Sequence, residues 1–543
     1  MENNPEYEEV NADTIINTNS DNLNATICNR LEIETEPINL KKPTDIFILE
    51  KIIEKFHFSR FHLAILFVGI ISFTCDGYLQ FHFRTSENIF KKRLGISPTE
   101  VKVLTVTQIL ANLLGALLST NFKTKYWEAS SNVFLGIVGL LCVILMSLYT
   151  DPVIYGGLVV SYSICNGFIC NVCGNFLIEL YNIKIRGAFF LFIFSCRVFG
   201  MSLACLIFTI LFNNNQLDHF FLLMIGLFVL QLGLCISLLF ILDSPRILFY
   251  NNNLIHFYEY IQEITTEGKD NIYNRHFKSQ MIIKLEDAKR EIESKYGKLS
   301  SDGYFSNICE IWVKPHLKIT IRAIVFVILA VLYFTNIRDS HLKILQFYNW
   351  NISEYIYYTD GKQDTPSVED LDSGKREYKI RYHLFFFYFL QFLICSVMAF
   401  IYYKFPQIKR FYFAVFSLST AFITMILIIT IEYAVFYLIS IFEAFALFYY
   451  GLVYLHFNEM TTTRIRNYFT SIIFSTMEII YIIQYFVVPN IFSTNPIPTI
   501  IFNMLIFVSL LVMEVLWIDH NNETRYKSLQ EIEFEILGDD KNK

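Results

Sequence analysis

The most informative residues of this chain form a charged pattern that occurs once in each half. A glutamate is followed seven positions later by an arginine, as Glu179 and Arg186 and again as Glu459 and Arg466. In both copies the glutamate ends one long apolar segment and the arginine begins the next. A repeated element at matched positions of two apolar halves is a pattern found in membrane transporters that arose by duplication.

Charges at these positions could form a gate, because opposite charges pair when helix ends approach and separate when they move apart. We expect one network of six charges at the cytoplasmic ends of helices: Glu179, Arg186, Asp243, Arg246, Glu459 and Arg466. Each partly screened pair contributes about 1 kcal/mol, and a set of pairs can bias a two-state equilibrium. The alternative is that these residues only anchor helix ends in the headgroup layer.

Ionisable residues inside apolar segments are functional candidates, because a charge is costly there. Glu478 lies about midway along the eleventh segment, where a carboxylate could attract a cationic substrate or carry a coupling proton. The alternative for Glu478 is a side chain that snorkels or bonds to a neighbouring helix. Asp76 lies in the outer half of the first segment, where simple exposure to solvent is the alternative. Arg197 in the fifth segment needs a partner, and Glu478 or Asp76 is available.

The tenth segment adds weaker candidates. Glu443 is a further carboxylate within it, and Tyr450 lies between Tyr449 and Tyr454 on the same predicted helix. Tyrosine rings could make cation–π contacts with a substrate cation. Ordinary helix packing is the alternative for each ring, since the chain is rich in aromatic residues.

Composition indicates that the bilayer is the solvent. The chain has 543 residues, of which 54% are hydrophobic and 17% are charged, and its mean hydropathy is +0.41. A soluble protein has about 25% charged residues. The net charge of -6 gives no basic field for nucleic acid. Apolar runs of membrane length occur six times between 61 and 242 and six times between 319 and 518.

These runs predict an all-α polytopic membrane protein with twelve transmembrane helices in two six-helix bundles. The predicted order is a disordered cytoplasmic N-terminal tail (1–57), a first bundle (58–248), a cytoplasmic middle loop with short helices (249–317), a second bundle (318–519) and a cytoplasmic C-terminal tail (520–543).

Basic residues in short loops predict that both termini are cytoplasmic. The loops that are then internal contain Lys123, Lys125, Lys184, Arg186, Lys404, Lys409, Arg410, Arg464 and Arg466. One loop disagrees, because Arg84, Lys91, Lys92 and Arg93 would be external. With this orientation Asn351 falls in the external loop 338–381 and is a candidate for glycosylation.

Other chemistries have little support in the sequence. The eleven cysteines are scattered through apolar runs rather than arranged as a disulfide framework. Cys170 and Cys173 form a C-x-x-C without nearby histidine or a second pair, so helix packing is favoured over a metal or redox site. Walker, G-x-S-x-G and H-x-x-x-H patterns are missing, and we expect no enzyme activity, cofactor or metal.

Several short motifs resemble those of the sugar porter and organic cation branches of the major facilitator superfamily. The segment 242–248, Leu-Asp-Ser-Pro-Arg-Ile-Leu, resembles the P-E-S-P-R-x-L that follows the sixth helix there. The Glu-Arg repeats resemble the family's E-x6-R-G and E-x6-R-N, and 522–532 is similar to its P-E-T-K-G tail. The loop after helix two departs from the family pattern, because Ser119 and Thr120 replace its aspartate and arginine.

The resemblance implies a monomeric transporter of a small organic solute, working by alternating access among membrane lipids and driven by a coupling proton or by the solute gradient alone. An organic cation is the favoured solute, because the residue twelve positions after the R-N arginine is acidic in cation carriers and is Glu478 here. A hexose or polyol is the alternative, although Phe194 replaces the glutamine of sugar porters and Asn336 is the one plausible hydroxyl partner in helix seven. A nutrient receptor without transport is the second alternative, and the sequence leaves open which membrane holds the protein.

Overall fold

The computed structural model describes most of the apolar part of the chain. The described residues are 60–85, 94–120, 128–181, 183–212, 219–240, 244–250, 254–255, 257, 285–287, 289–290, 294, 311–313, 316–347, 370–431, 434–462, 465–491, 497–517, 524, 527, 529 and 532. Asp243, Asn351, the predicted N-terminal tail 1–57 and most of the predicted middle loop and C-terminal tail lie outside these residues.

Twelve long helices dominate the described residues. They are α1 (Arg60–Thr85), α2 (Pro98–Ser119), α3 (Glu128–Leu148), α4 (Pro152–Leu180), α5 (Ile183–Phe212), α6 (His219–Leu238), α7 (His316–Phe347), α8 (Asp370–Lys404), α9 (Arg410–Thr430), α10 (Val435–Glu459), α11 (Arg466–Ile491) and α12 (Ile497–Trp517). A short helix, Pro245–Tyr250, follows α6.

The sequence specifies where several of these helices begin. Asp151 precedes Pro152 and accepts hydrogen bonds from the backbone N–H groups of Val153 and Ile154, at 2.9 and 3.1 Å. Such a cap stabilises a helix by about 1 kcal/mol, and proline at the first helical position has no N–H to leave unpaired. Ser97 and Glu100 form the equivalent reciprocal cap at the start of α2.

The helices are suited to lipid. In the described residues, ten are long and apolar enough to cross a membrane, and α6 contains a shorter apolar stretch, Leu223–Leu238. The remaining long helix, α11, carries the polar side chains of Asn467, Glu478 and Gln484 within its apolar sequence. Phe134, Leu141 and Leu148 are exposed seven residues apart on α3. That spacing makes a continuous apolar stripe, which lipid would cover.

The packing of the helices repeats after six. In the first half, α1 packs against α4, α5 and α6, α2 packs against α4, and α3 packs against α4 and α6. In the second half, α7 packs against α10, α11 and α12, α8 packs against α10, and α9 packs against α10 and α12. The halves meet mainly through α5 with α8 and α2 with α11, which is again a symmetric pair of contacts. The prediction of two six-helix bundles in an all-α membrane protein is therefore confirmed.

Successive helices run in opposite directions, so the even helices end where the odd helices begin. Here this end is called the ion-pair end, because Glu179, Arg186, Glu459 and Arg466 meet there. The chain enters α1 and leaves α12 at the same end. Accordingly, the Tyr181 hydroxyl after α4 donates to the His62 carbonyl in α1 at 2.6 Å.

Two helices extend beyond the apolar runs that predicted them. The loop expected over 338–381 is shorter, because α7 continues to Phe347 and α8 begins at Asp370. An apolar run marks only the part of a helix that crosses hydrocarbon, and a polar extension can continue the same helix into water. The predicted limits of the two bundles, tails and middle loop remain predictions.

Candidate functional site

The site begins with a close crossing of α1 and α5. A Cβ added at Gly77 would lie 1.7 Å from the Arg197 carbonyl oxygen, and one added at Gly200 would lie 2.1 Å from the Thr74 carbonyl oxygen. Only glycine permits backbones to approach so closely. The crossing therefore places the neighbouring side chain of Asp76 on α1 beside Arg197 on α5.

Arg197 joins two carboxylates from different bundles. Its Nε lies 2.7 Å from Asp76 Oδ2, and its Nη2 lies 3.2 Å from Glu478 Oε1 on α11. The guanidinium also lies over the Tyr481 ring, 5.4 Å from the ring centroid. A planar guanidinium suits this arrangement, since its N–H groups can bind two carboxylates at once. The structure thus brings together Asp76, Arg197 and Glu478, here called the charge triad.

All three members of the triad are buried, with at most 6% of any side chain exposed. Asp76 is therefore not simply exposed to solvent, and Glu478 bonds to a neighbouring helix through Arg197, which is one of the alternatives that the sequence left open for it. Asp76 also accepts from the Asn112 amide at 3.1 Å and from the Gln80 amide at 3.4 Å. Two carboxylates facing one guanidinium carry one excess negative charge, so the triad is suited to take up a proton or a cation.

A small cavity adjoins the triad between the bundles. It is lined by Phe194, Arg197, Val198, Met201, Phe334, Tyr388, Gln391, Leu447 and Tyr481. Its volume of about 10 Å³ holds about one water molecule. The bundles must therefore separate before an organic solute can enter. Tyr450 does not line the cavity, but its ring centroid lies 5.2 Å from that of Phe194, which does.

Asn336 is held in a group of amides on the second bundle. Its Nδ2 donates to Asn503 Oδ1 on α12 at 3.2 Å, and its Oδ1 accepts from Gln484 on α11 at 2.9 Å. Asn503 and Gln484 both lie in apolar runs, and a search of those runs for amide side chains would have found them. Gln391 on α8 was likewise missed, although it donates to Glu443 on α10 at 2.7 Å.

At the ion-pair end, the repeated charges pair across the two bundles. Arg186 Nε lies 2.7 Å from Glu459 Oε1, and Arg466 Nη1 lies 3.2 Å from Glu179 Oε1. Each pair takes one charge from the first copy of the repeat and one from the second. The four side chains are at most 2% exposed, so these pairs are not surface anchors in the headgroup layer. Removing one partner of such a buried pair costs about 3–5 kcal/mol.

Glu459 is held by two further groups that the sequence did not single out. Its Oε2 accepts from Arg410 Nη2 at 2.7 Å and from the Thr524 hydroxyl at 2.8 Å. Arg186 Nη2 donates to the Lys527 carbonyl at 3.0 Å. The segment after α12 therefore binds residues of both bundles at this end.

Glu179 also binds the segment that follows α6. Its Oε2 accepts from the Ser244 hydroxyl at 2.7 Å, and its backbone carbonyl accepts from Arg246 Nε at 3.1 Å. Arg246 is thus part of the predicted network, with a backbone partner. The predicted contribution of Asp243 lies outside the described residues.

An uncharged layer lies deeper between the bundles. Asn171 on α4 donates to Ser471 on α11 at 2.8 Å, and the Thr470 hydroxyl lies 2.8 Å from Asn175 Oδ1. Ser471 also lies 2.8 Å from the Ala116 carbonyl on α2. These contacts bind α2 and α4 to α11, so ion pairs and hydrogen bonds together close this end.

The described residues also bear on the sequence's expectation about metal ligands and thiols. No group of three or more His, Cys, Asp or Glu side chains there is placed to hold a metal ion. Cys170 and Cys173 are buried free thiols on α4. The packing interpretation of this pair remains a prediction.

Comparison with known proteins gives structural matches without sequence matches. No protein-family model and no curated protein matches the chain. The proton:xylose symporter XylE bound to 6-bromo-6-deoxy-D-glucose matches with a TM-score of 0.60 and 13% identity over 88% of this chain and 99% of that one. The inward-open xylose transporter XylE from E. coli matches with a TM-score of 0.55 and 12% identity over 87% of this chain and 99% of that one. The first of these structures is described as a major facilitator superfamily protein.

Proposed function

We propose that this chain, which has the fold of the major facilitator superfamily, is a membrane transporter that moves a small polar solute by alternating access. The observation that carries the proposal is the charge triad. Arg197 of the first bundle binds Glu478 of the second bundle at 3.2 Å, beside a cavity between the bundles. A charge that bridges two bundles beside a cavity can link binding of a solute to their relative movement.

The closed ion-pair end supports alternation. Opening it requires that the pairs Arg186–Glu459 and Glu179–Arg466 separate together with the hydrogen bonds beneath them. Solvation of the separated charges offsets much of this cost, so the two states can differ by only a few kcal/mol. A solute that prefers one state can then shift the population.

A sugar or similar polyol fits the site better than an organic cation. The sequence favoured a cation because of Glu478, but that carboxylate is occupied by Arg197 in the structure. A cation entering the cavity would also approach the Arg197 guanidinium. Gln391, Tyr388 and Tyr481 in the cavity wall are instead suited to hydroxyl groups. The matched structure binds a glucose derivative, which supports the same choice.

The triad is suited to couple a proton to this movement. A proton on Asp76 or Glu478 removes the excess negative charge and weakens one of the two ion pairs of Arg197. Release of Glu478 frees the second bundle from the first at this depth. The matched protein is described as a proton:xylose symporter, and its coupled ion agrees with this role.

We further propose that the ion-pair end faces the cytoplasm, so that both termini are cytoplasmic. Basic residues that border it, including Lys404, Lys409 and Arg410, agree with the usual excess of positive charge on that side. The exposed apolar stripes on the outer helices fit a monomer surrounded by lipid.

Uptake by proteoliposomes tests the solute class. The purified protein is given radiolabelled D-xylose, D-glucose, tetraethylammonium or benzoate, with and without an inward proton gradient. We expect that the protein takes up a sugar and that the proton gradient increases this uptake. A proton ionophore should lower the sugar inside the liposomes to its equilibrium level. A Glu478→Gln variant should keep sugar exchange but lose the effect of the gradient.

Other outcomes would contradict the proposal in distinct ways. Uptake of tetraethylammonium without sugar uptake would restore the cation interpretation. Sugar binding without exchange across the membrane would identify a receptor. Gradient-driven uptake that Glu478→Gln leaves unchanged would remove the proton role of the triad.

A further inference from the structure

Glu443 and Gln391 form a buried pair beside the cavity. Gln391 Nε2 on α8 donates to Glu443 Oε2 on α10 at 2.7 Å. Both side chains are buried, and Gln391 is one of the residues that line the cavity. The carboxylate therefore has no contact with solvent of its own, but it touches the amide that a solute would meet.

Neighbouring contacts fix the position of the pair. The Cys395 thiol, one turn after Gln391, lies 3.2 Å from the carbonyl of Ala444, which follows Glu443. Residues four apart share one face of a helix. The register of α8 against α10 thus holds Gln391 opposite Glu443, and only the terminal amide remains to be oriented.

The protonation state of Glu443 decides that orientation. An ionised carboxylate can only accept, so Gln391 must turn its NH2 toward it and present its Oε1 to the other side. A protonated carboxyl can donate, which allows the amide to reverse. The oxygen and the NH2 of a glutamine are nearly equal in size, so the reversal requires little additional space.

We propose that Glu443 is a positioning residue that makes the cavity face of Gln391 an acceptor when ionised and a donor when protonated. The inference rests on the proposed transport of a hydroxyl-bearing solute. A sugar hydroxyl can satisfy either face, but groups that only accept can bind only the donor face. The site would then change its selectivity among related solutes with pH.

Other titratable groups near α10 are distinct from Glu443. Arg197 on α5, Tyr481 on α11 and Tyr388 on α8 line the same cavity, and the Tyr333 ring on α7 lies 5.2 Å from that of Phe442. The sequence of α9 after Arg410 contains no charged residue as far as its end at Thr430. Glu514 on α12 is a further buried carboxylate and lies close to Tyr449 on α10. The triad and Glu514 are therefore the competing proton sites, and both remain intact in a Glu443 variant.

Monofluorinated sugars test this proposal, because fluorine accepts a hydrogen bond but cannot donate one. Counterflow of D-glucose in proteoliposomes is competed with glucose analogues that carry fluorine in place of one hydroxyl, between pH 5.5 and 8. In the wild-type protein, one analogue should compete about three- to tenfold less well than glucose at high pH, which is the effect of one hydrogen bond. The difference should narrow as the pH falls.

The variants identify the group responsible. In Glu443→Gln the preference should no longer depend on pH, while gradient-driven uptake through the triad remains. In Gln391→Leu the preference should disappear at every pH, and glucose counterflow should itself weaken, because the solute loses its hydrogen bond to the amide. A pH-dependent preference that survives in either variant, or a wild-type preference independent of pH at every ring position, would overturn the proposal. Lack of glucose counterflow by the wild type would instead contradict the proposed solute class, and this inference with it.

Discussion

The crossing of α1 and α5 is predicted to be intolerant of a single methyl group at Gly77. A Cβ there would lie 1.7 Å from the Arg197 carbonyl oxygen, whereas ordinary contact begins near 3.4 Å. The helices must therefore separate by up to about 1.7 Å, the difference of these two values. The Arg197–Asp76 distance of 2.7 Å would then approach about 4.4 Å, beyond the range of an ion pair. Overpacking of a close-packed interior costs about 1–3 kcal/mol, to which the weakened pair adds.

Gly77→Ala should thus lower the unfolding temperature of the protein in detergent and reduce gradient-driven sugar uptake. Gly174→Ala is the matched control, because Gly174 is also buried in a helix but has no atom within 4 Å of an added Cβ. This variant should match the wild type in both assays, since alanine favours helix. Equal behaviour of the two variants would refute the role of the crossing.

Two further predictions concern the buried charges. Arg186→Leu and Glu459→Gln should each destabilise the protein. Because the two side chains are paired at 2.7 Å, the double variant should lose less stability than the sum of the two single losses. Unfolding curves of the three variants measure this coupling, and strict additivity would contradict the pairing. Arg197→Leu should cost about 3–5 kcal/mol, because it leaves buried carboxylates without their cation. Adding Asp76→Asn and Glu478→Gln should recover thermal stability without recovering coupled uptake, and failure to recover stability would show that Arg197 acts by packing.

The repeated Glu-Arg phrase shows what a sequence can predict in such a fold. It located the ends of α4, α5, α10 and α11 and their common side of the membrane, because apolar length sets the depth of each residue. It did not determine that Arg186 would bind Glu459 of the other bundle. That pairing depends on how the bundles face each other, which depth alone does not fix.

The depth of a residue in the membrane also explains why the partners of Arg197 could be predicted from the sequence, whereas the class of solute could not. A buried guanidinium needs carboxylates at its own level, and Asp76 and Glu478 were available there. The same two contacts weaken the cation interpretation, which treated Glu478 as open to a substrate. A count of twelve residues from Arg466 identifies a position but not its neighbours.

Contacts between distant segments were beyond the sequence. Thr524 returns to Glu459 across 65 residues of chain, and Gln484 reaches Asn336 across 148. The loop after helix two, which departs from the family pattern at Ser119 and Thr120, gave no indication that Arg410 would bind Glu459. Glycine positions were visible, but which of them lie at crossings depends on helix rotation.

The most direct test of the account is the distance across the ion-pair end. Spin labels at two exposed positions, Ser130 near the start of α3 and Gln407 between α8 and α9, report this distance by pulsed EPR in liposomes. We predict one short distance in the wild type, and a second, longer population after Glu459→Gln or after addition of D-glucose at low pH. A single unchanged distance under all these conditions, in liposomes that still take up sugar, would contradict alternation at this end.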